Sequence, residues 1–207
     1  MNFDETVTFF VDRYYNAAKY IEKKYGIPVR LSMAQASIEG GWGKMAVGNN
    51  TFGVKAYPPT NFPEGRRQFV MTTEFFNTPN YKFPSWVKVV SVKPEGNQYR
   101  YVIYDWFRKY INLEESFEDY AKLITGQYKK ALVYKDNPYM YGLALAKLGY
   151  FTANAQVYAG FLRDRAKAIQ GKINNMGLSP SGGMLLIGIG IAATFLILNN
   201  KKTEEND

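Results

Sequence analysis

The stretch richest in chemical possibility is Ala34-Gln35-Ala36-Ser37-Ile38-Glu39-Gly40-Gly41-Trp42-Gly43-Lys44. It sets a glutamate at the C-terminal end of a mostly apolar segment with helical spacing, directly before glycines and a tryptophan. An apolar wall penalises the ionised carboxylate, and the negative end of a helix does the same. Both effects raise a carboxyl pKa, and an acid that keeps its proton towards neutral pH is a general acid. A glutamate near a helix end that simply faces water carries the same signature, so the residues alone leave both readings open. The remaining inventory narrows the chemistry. Among 207 residues there is no histidine and no cysteine. Ser-His-Asp and Cys-His nucleophile sites are therefore excluded, as are the His- and Cys-ligated zinc hydrolases. Disulfides are excluded too. An oxygen-ligated magnesium or calcium site is not excluded on composition. The reading calls for no metal and no cofactor: acids and bases must come from Asp, Glu, Tyr, Lys or solvent.

The elements that would hold Glu39 follow from the periodicity. Phe9, Phe10, Tyr14, Ala17, Ala18 and Ile21 recur at helical spacing, and Gly26-Ile27-Pro28 ends that helix. A second helix runs from about Val29 to Ile38, with Leu31, Ala34 and Ile38 as its apolar stripe and glycines 40, 41 and 43 at its end. The pattern then turns strand-like at residues 69–73, 86–92 and 99–104, the last two runs flanking the hairpin signal Pro94-Glu95-Gly96-Asn97. Helical spacing returns at residues 114–124, 138–148 and 155–173. Helices, a small sheet, then helices describe an α+β domain over residues 1–173.

Beyond it the composition changes. Residues 174–183, rich in Asn, Gly, Ser and Pro, read as a flexible linker. The run from Met184 to Leu198 carries no charge and only Thr194 as a polar side chain. With its flanks (residues 184–200) it reads as a short transmembrane helix, about 27 Å long if helical, followed by a charged tail at 201–207. A core helix that docks on the domain is the alternative. Residues 1–30 contain Asp4, Glu5, Asp12 and Glu22 and do not read as a signal peptide.

Several runs together resemble the glucosaminidase family of peptidoglycan hydrolases, glycoside hydrolase family 73, found in autolysins, flagellar proteins and phage lysins. They are residues 34–43; Asn50-Thr51-Phe52-Gly53-Val54-Lys55; Thr72-Thr73-Glu74-Phe75; Phe107-Arg108-Lys109-Tyr110 with Glu115-Ser116 and Asp119-Tyr120-Ala121; and Gly149-Tyr150-Phe151-Thr152 with Tyr158-Ala159. The runs occur in family order. The resemblance implies a lysozyme-like fold, mainly helical with a small antiparallel β-lobe. It implies hydrolysis of the β-1,4 bond between N-acetylglucosamine and N-acetylmuramic acid, with the peptidoglycan glycan strand as partner. It assigns Glu39 as general acid, Glu74 as second carboxylate and Tyr158 as a cleft tyrosine near the acid. Trp42, Phe52 and Tyr150 are candidate platforms for sugar faces, and Asn50 a candidate donor to an N-acetyl group or a catalytic carboxylate. Arg108 and Tyr110 read as structural. Two departures stand out: Gly40 replaces the family serine after the acid, and Asn154-Ala155 replaces an Asp-Pro.

A net charge of +8 with 17 Tyr, 14 Phe and 3 Trp suits a sugar polymer or a polyanion. No basic cluster accompanies a recognition motif, so nucleic acid is not expected as a partner. The expected location is a membrane, spanned once by the C-terminal helix, with the lipid bilayer as second partner. A phage virion membrane or lysis role would reconcile the lysin-like domain with the terminal anchor. A muramidase or lytic transglycosylase would use the same acid, and a non-catalytic wall-binding membrane protein would keep the fold without turnover.

Overall fold

The computed structural model describes residues 2–151 and 154–178. The segment from Met184 to Leu198 lies outside the described residues. Among those described, no helix is long and apolar enough to cross a membrane.

Helix α1 (Phe3–Tyr25) starts in a capping box: the Asn2 side chain accepts from the Glu5 amide, and Glu5 accepts from the Asn2 amide. Its buried stripe is Val7, Phe10, Val11, Tyr14, Ala17, Ala18 and Ile21. Phe9, expected on this stripe, is about half exposed instead, because Val7 and Val11 complete the core-facing arc. Gly26 closes the helix in the left-handed conformation. Helix α2 (Val29–Glu39) has no single apolar face. It is buried almost all round from Val29 to Ser37, packed between α1 and α5 (Ala155–Asn175). The polar side chains it takes inside, Ser32, Gln35 and Ser37, are hydrogen-bonded there.

The β-lobe is an antiparallel sheet in the order β1 (Arg67–Phe76), β3 (Gln98–Arg108), β2 (Lys88–Glu95). The expected hairpin joins β2 to β3 through Gly96 and Asn97. Trp86 and Val87, expected at the start of β2, belong instead to a turn closed by the Val87 amide on the Pro84 carbonyl at 3.0 Å. A bulge between Val89 and Ser91 follows. Side chains alternate across the sheet. Even-numbered residues of β1, from Gln68 to Glu74, face the helical lobe, while Phe69 and Phe75 are exposed on the other face. Residues 54–56 run beside the end of β3, with Arg108 N donating to Val54 O and Ala56 N to Trp106 O, both at 2.9 Å. That addition puts Lys55 opposite Phe107.

Helix α3 (Leu113–Gly126), a 3₁₀ segment at Lys129–Tyr134, α4 (Pro138–Lys147) and α5 complete the helical lobe. With α1, four of the described helices share one start signal: Asn112, Asn137 and Asn154, like Asn2, each accept a backbone N–H from the third helical residue. The Asn154-Ala155 departure thus keeps a side-chain N-cap and a first helical residue. An Asp-Pro pair would supply the same two functions.

Candidate active site

Glu39 ends α2 and opens onto a cleft of about 240 Å³ between the lobes. Met45, Val47, Asn50, Gly53 and Lys55 line it from the loops, and Gln68, Val70, Met71, Thr72 and Glu74 from β1, with Phe107 from β3. The two carboxylates singled out from the sequence therefore occupy one cleft, on opposite lobes. Burial raises the Glu39 carboxyl pKa above its ordinary value, and the Tyr158 hydroxyl, donating to Glu39 Oε1 at 3.0 Å, partly offsets the rise. The third sequence candidate thus touches the acid directly. Its ring is stacked at 3.9 Å on Phe151, which fixes where the hydroxyl points.

Glu74 is held differently. Lys55 Nζ donates to Glu74 Oε1 at 3.0 Å and to Asp105 Oδ2 at 2.7 Å, while lying 4.2 Å from the centre of the Phe107 ring. Asp105 is buried to about 1% exposure, and also accepts from the Tyr57 hydroxyl and from the Trp106 amide. One ammonium therefore bridges a buried carboxylate and a cleft carboxylate.

The platform and donor candidates have protein partners of their own. Phe52 is a core residue, stacked on Tyr120 at 4.1 Å and edge-on to Phe117 at 4.9 Å, so its faces are not open to a sugar. Trp42 is absent from the cleft wall. Gly41, Trp42 and Gly43 all have positive φ, at 53°, 59° and 82°. This left-handed run carries the indole over Phe10 at 5.2 Å and under the Arg165 guanidinium at 4.5 Å. Gly43 is required there, since a Cβ would lie 2.7 Å from the Tyr14 hydroxyl. Asn50 borders the cleft, but its amide is fully used. It donates to Val54 O at 2.9 Å and Arg108 O at 3.0 Å, and accepts from Val54 N at 2.9 Å. It tethers the loop that carries Lys55 to the end of β3. Asn50→Ala is expected to destabilise the fold by about 2 kcal/mol, read as a lower urea midpoint at constant m. Tyr150 stays partly exposed beside Glu39, whose charge adds to burial in raising the tyrosine pKa. Like Trp42, it is absent from the cleft wall, and its ring packs edge-on against Tyr128 at 5.0 Å.

Arg108 and Tyr110 are engaged with a helix of the other lobe. Both bind Asp119 of α3, Arg108 Nη1 reaching both carboxylate oxygens at 2.6 Å. The Ser116 hydroxyl accepts from the Thr51 amide at 3.2 Å. These contacts lock the β-lobe and the 48–55 loop onto α3. At Gly40 an added Cβ would sit 3.0 Å from both Ala36 O and Thr51 O, so the loop lies tight against the end of α2. Lys55 and Gln35, not singled out individually from the sequence, sit inside the runs that carried the resemblance. Asp105 had a weaker signal, a lone acid in an aromatic strand.

An α+β fold in which a glutamate of raised pKa shares a cleft with a second carboxylate on the opposite lobe has the form of a glycoside hydrolase. Residues 15–171 match the glucosaminidase family, described as mannosyl-glycoprotein endo-beta-N-acetylglucosaminidase, and the chain belongs to that family of glycoside hydrolases. It is similar to the peptidoglycan hydrolase FlgJ of Pseudomonas aeruginosa, 28% identical over 144 residues. The match covers 65% of this chain but only 30% of the relative. Among solved structures it is similar to a peptidoglycan hydrolase mutant from Sphingomonas sp. A1, at TM-score 0.58 and 25% identity over 81% of this chain and 99% of that one. The glycoside hydrolase domain of Salmonella typhimurium FlgJ shares the fold, at TM-score 0.55 and 21% identity over 83% of this chain and 92% of that one.

Proposed function

We propose that the protein hydrolyses the glycan strand of peptidoglycan at the β-1,4 bond between N-acetylglucosamine and N-acetylmuramic acid. The observation that carries this is the pairing, across one cleft, of Glu39, whose carboxyl pKa is raised by burial, with an ion-paired Glu74. Glu39 protonates the leaving oxygen. Glu74 faces the opposite side of the bond, where a carboxylate activates water or stabilises the positive charge that develops on the sugar. The relatives named as peptidoglycan hydrolases support the substrate class. The apolar run from Met184 to Leu198 supports anchoring in a bilayer, with the catalytic domain working within a linker's reach of it. A place in a phage virion or at lysis fits the same features.

The test is digestion of purified peptidoglycan by the full chain in mild detergent, with mass analysis of the fragments. N-acetylglucosamine at the new reducing ends is the expected product. Anhydro-muramic ends, or muramic acid at the reducing ends, would overturn the bond assignment.

A further inference from the structure

We propose that Gln35 is a positioning residue for the acid: its buried amide fixes the direction of a hydrogen-bond chain so that the Tyr158 hydroxyl donates to Glu39. The proposal rests on Glu39 being the general acid. Gln35 lies one helical turn before Glu39 on α2 and is fully buried. Its Oε1 accepts from the Tyr141 hydroxyl of α4 at 3.1 Å and from the Tyr120 hydroxyl of α3. With the oxygen so engaged, Nε2 is turned to α5 and donates to the Tyr158 hydroxyl at 3.4 Å.

A phenol has one proton to give. Because Tyr158 receives a hydrogen bond from Gln35, its own proton is free to go to Glu39 Oε1 at 3.0 Å. Reversing the amide would present Oε1 to Tyr158. Gln35 and Glu39 would then compete for the same proton, and the carboxylate formed after proton donation would lose its donor. Tyr120 and Tyr141 oppose that reversal. Their hydroxyls are 3.5 Å apart, so they can bond to each other, but both then lose the shared carbonyl acceptor in the core. Two helices, α3 and α4, thus set the polarity at one amide of α2, and the amide passes it through Tyr158 of α5 to the acid. Burial alone would push the Glu39 pKa higher still; the oriented hydroxyl restrains it. The other ionisable groups facing Glu39 are Tyr150 from the segment before α5, and Lys55 and Glu74 from the β-lobe side of the cleft.

The test uses Gln35→Met, which keeps the side-chain length and removes the amide, and Tyr141→Phe, which keeps the ring and removes one proton aimed at Oε1. Peptidoglycan hydrolysis is followed against pH, with the folded fraction taken from near-ultraviolet circular dichroism. The upper limb, where the acid loses its proton, is expected to move to higher pH by about 0.5 unit in Gln35→Met, because a Tyr158 hydroxyl that no longer receives a hydrogen bond is a weaker and less directed donor to Glu39, and less in Tyr141→Phe. The plateau kcat is expected to fall about tenfold in Gln35→Met with KM unchanged. A purely structural role would lower the folded fraction and leave the limb in place. Carbon-13 titration of the Glu39 carboxyl gives the same answer without turnover, and decides it on Tyr141→Phe if Gln35→Met does not fold. An unmoved limb and an unmoved titration overturn the proposal. Glu39→Gln separates the two levels: an active Glu39→Gln protein sinks the acid itself, whereas an inactive one with an unmoved limb in the Gln35 and Tyr141 variants sinks only the role of Gln35.

Discussion

Glu39→Gln is expected to lower kcat on peptidoglycan by about 10³-fold while leaving KM within about threefold, because the amide keeps the shape and loses the proton. The same substitution is expected to stabilise the protein at neutral pH. The folded-state pKa of Glu39 is raised by burial. Its protonated form therefore contributes stability that is complete below the unfolded carboxyl value and is lost as pH rises through the raised folded value. Glutamine stays neutral and escapes that loss. The melting temperature of Glu39→Gln should exceed that of the wild type at pH 7, and the gap should close below about pH 4. Activity and stability moving in opposite directions is the outcome expected of a carboxyl kept in unfavourable surroundings for its chemistry. An unchanged melting temperature at both pH values would mean that the carboxyl is solvated in the folded protein, and the acid assignment would lose its physical basis.

What the sequence made legible follows from how local each signal is. The helices, the hairpin and the end of α2 at Glu39 rest on periodicity and punctuation within one segment. They stand in the structure with shifts of a few residues. Glu39, Glu74 and Tyr158 were legible through the order of their runs, and the cleft does bring the first two together and hydrogen-bonds the third to the first. The surroundings of Phe52, Trp42 and Asn50 were not legible, because they are set by distant partners. Asn50 spends one donor on Arg108, 58 residues away. Phe52 is covered by Tyr120 of α3. Trp42 is turned away by a left-handed backbone run that the glycines permit but do not by themselves announce. The stripe assigned to α2 was too narrow for a related reason. A helix enclosed by neighbours tolerates Ser32 and Ser37 inside because their hydroxyls bond to Val29 O and Ala34 O of the same helix, and Gln35 because tertiary hydrogen bonds satisfy it.

Lys55→Met should test the other wall of the cleft, with an expected loss of about 3 kcal/mol in folding stability. The two carboxylates that Lys55 bridges are unequally buried. Glu74 keeps 38% of its side chain exposed and can be solvated when Lys55 is gone, so breaking that pair alone costs little. Asp105 keeps 2% exposed. Without Lys55 it retains only the Tyr57 hydroxyl and the Trp106 amide, neither of which carries charge. A buried carboxylate stripped of its cation accounts for most of the loss. Lys55→Met combined with Asp105→Asn should therefore recover roughly half of it, because the asparagine oxygen still accepts from Tyr57 while the charge has been removed. Lys55→Met combined with Glu74→Gln should recover almost none. The urea midpoints of the four proteins decide the matter, provided m stays constant. Equal rescue by both second substitutions would show that the ammonium serves the two carboxylates alike. Unequal rescue would show that Asp105 anchors Lys55 from beneath the strand, leaving the lysine's remaining hydrogen bond to hold Glu74 against the cleft wall opposite the acid.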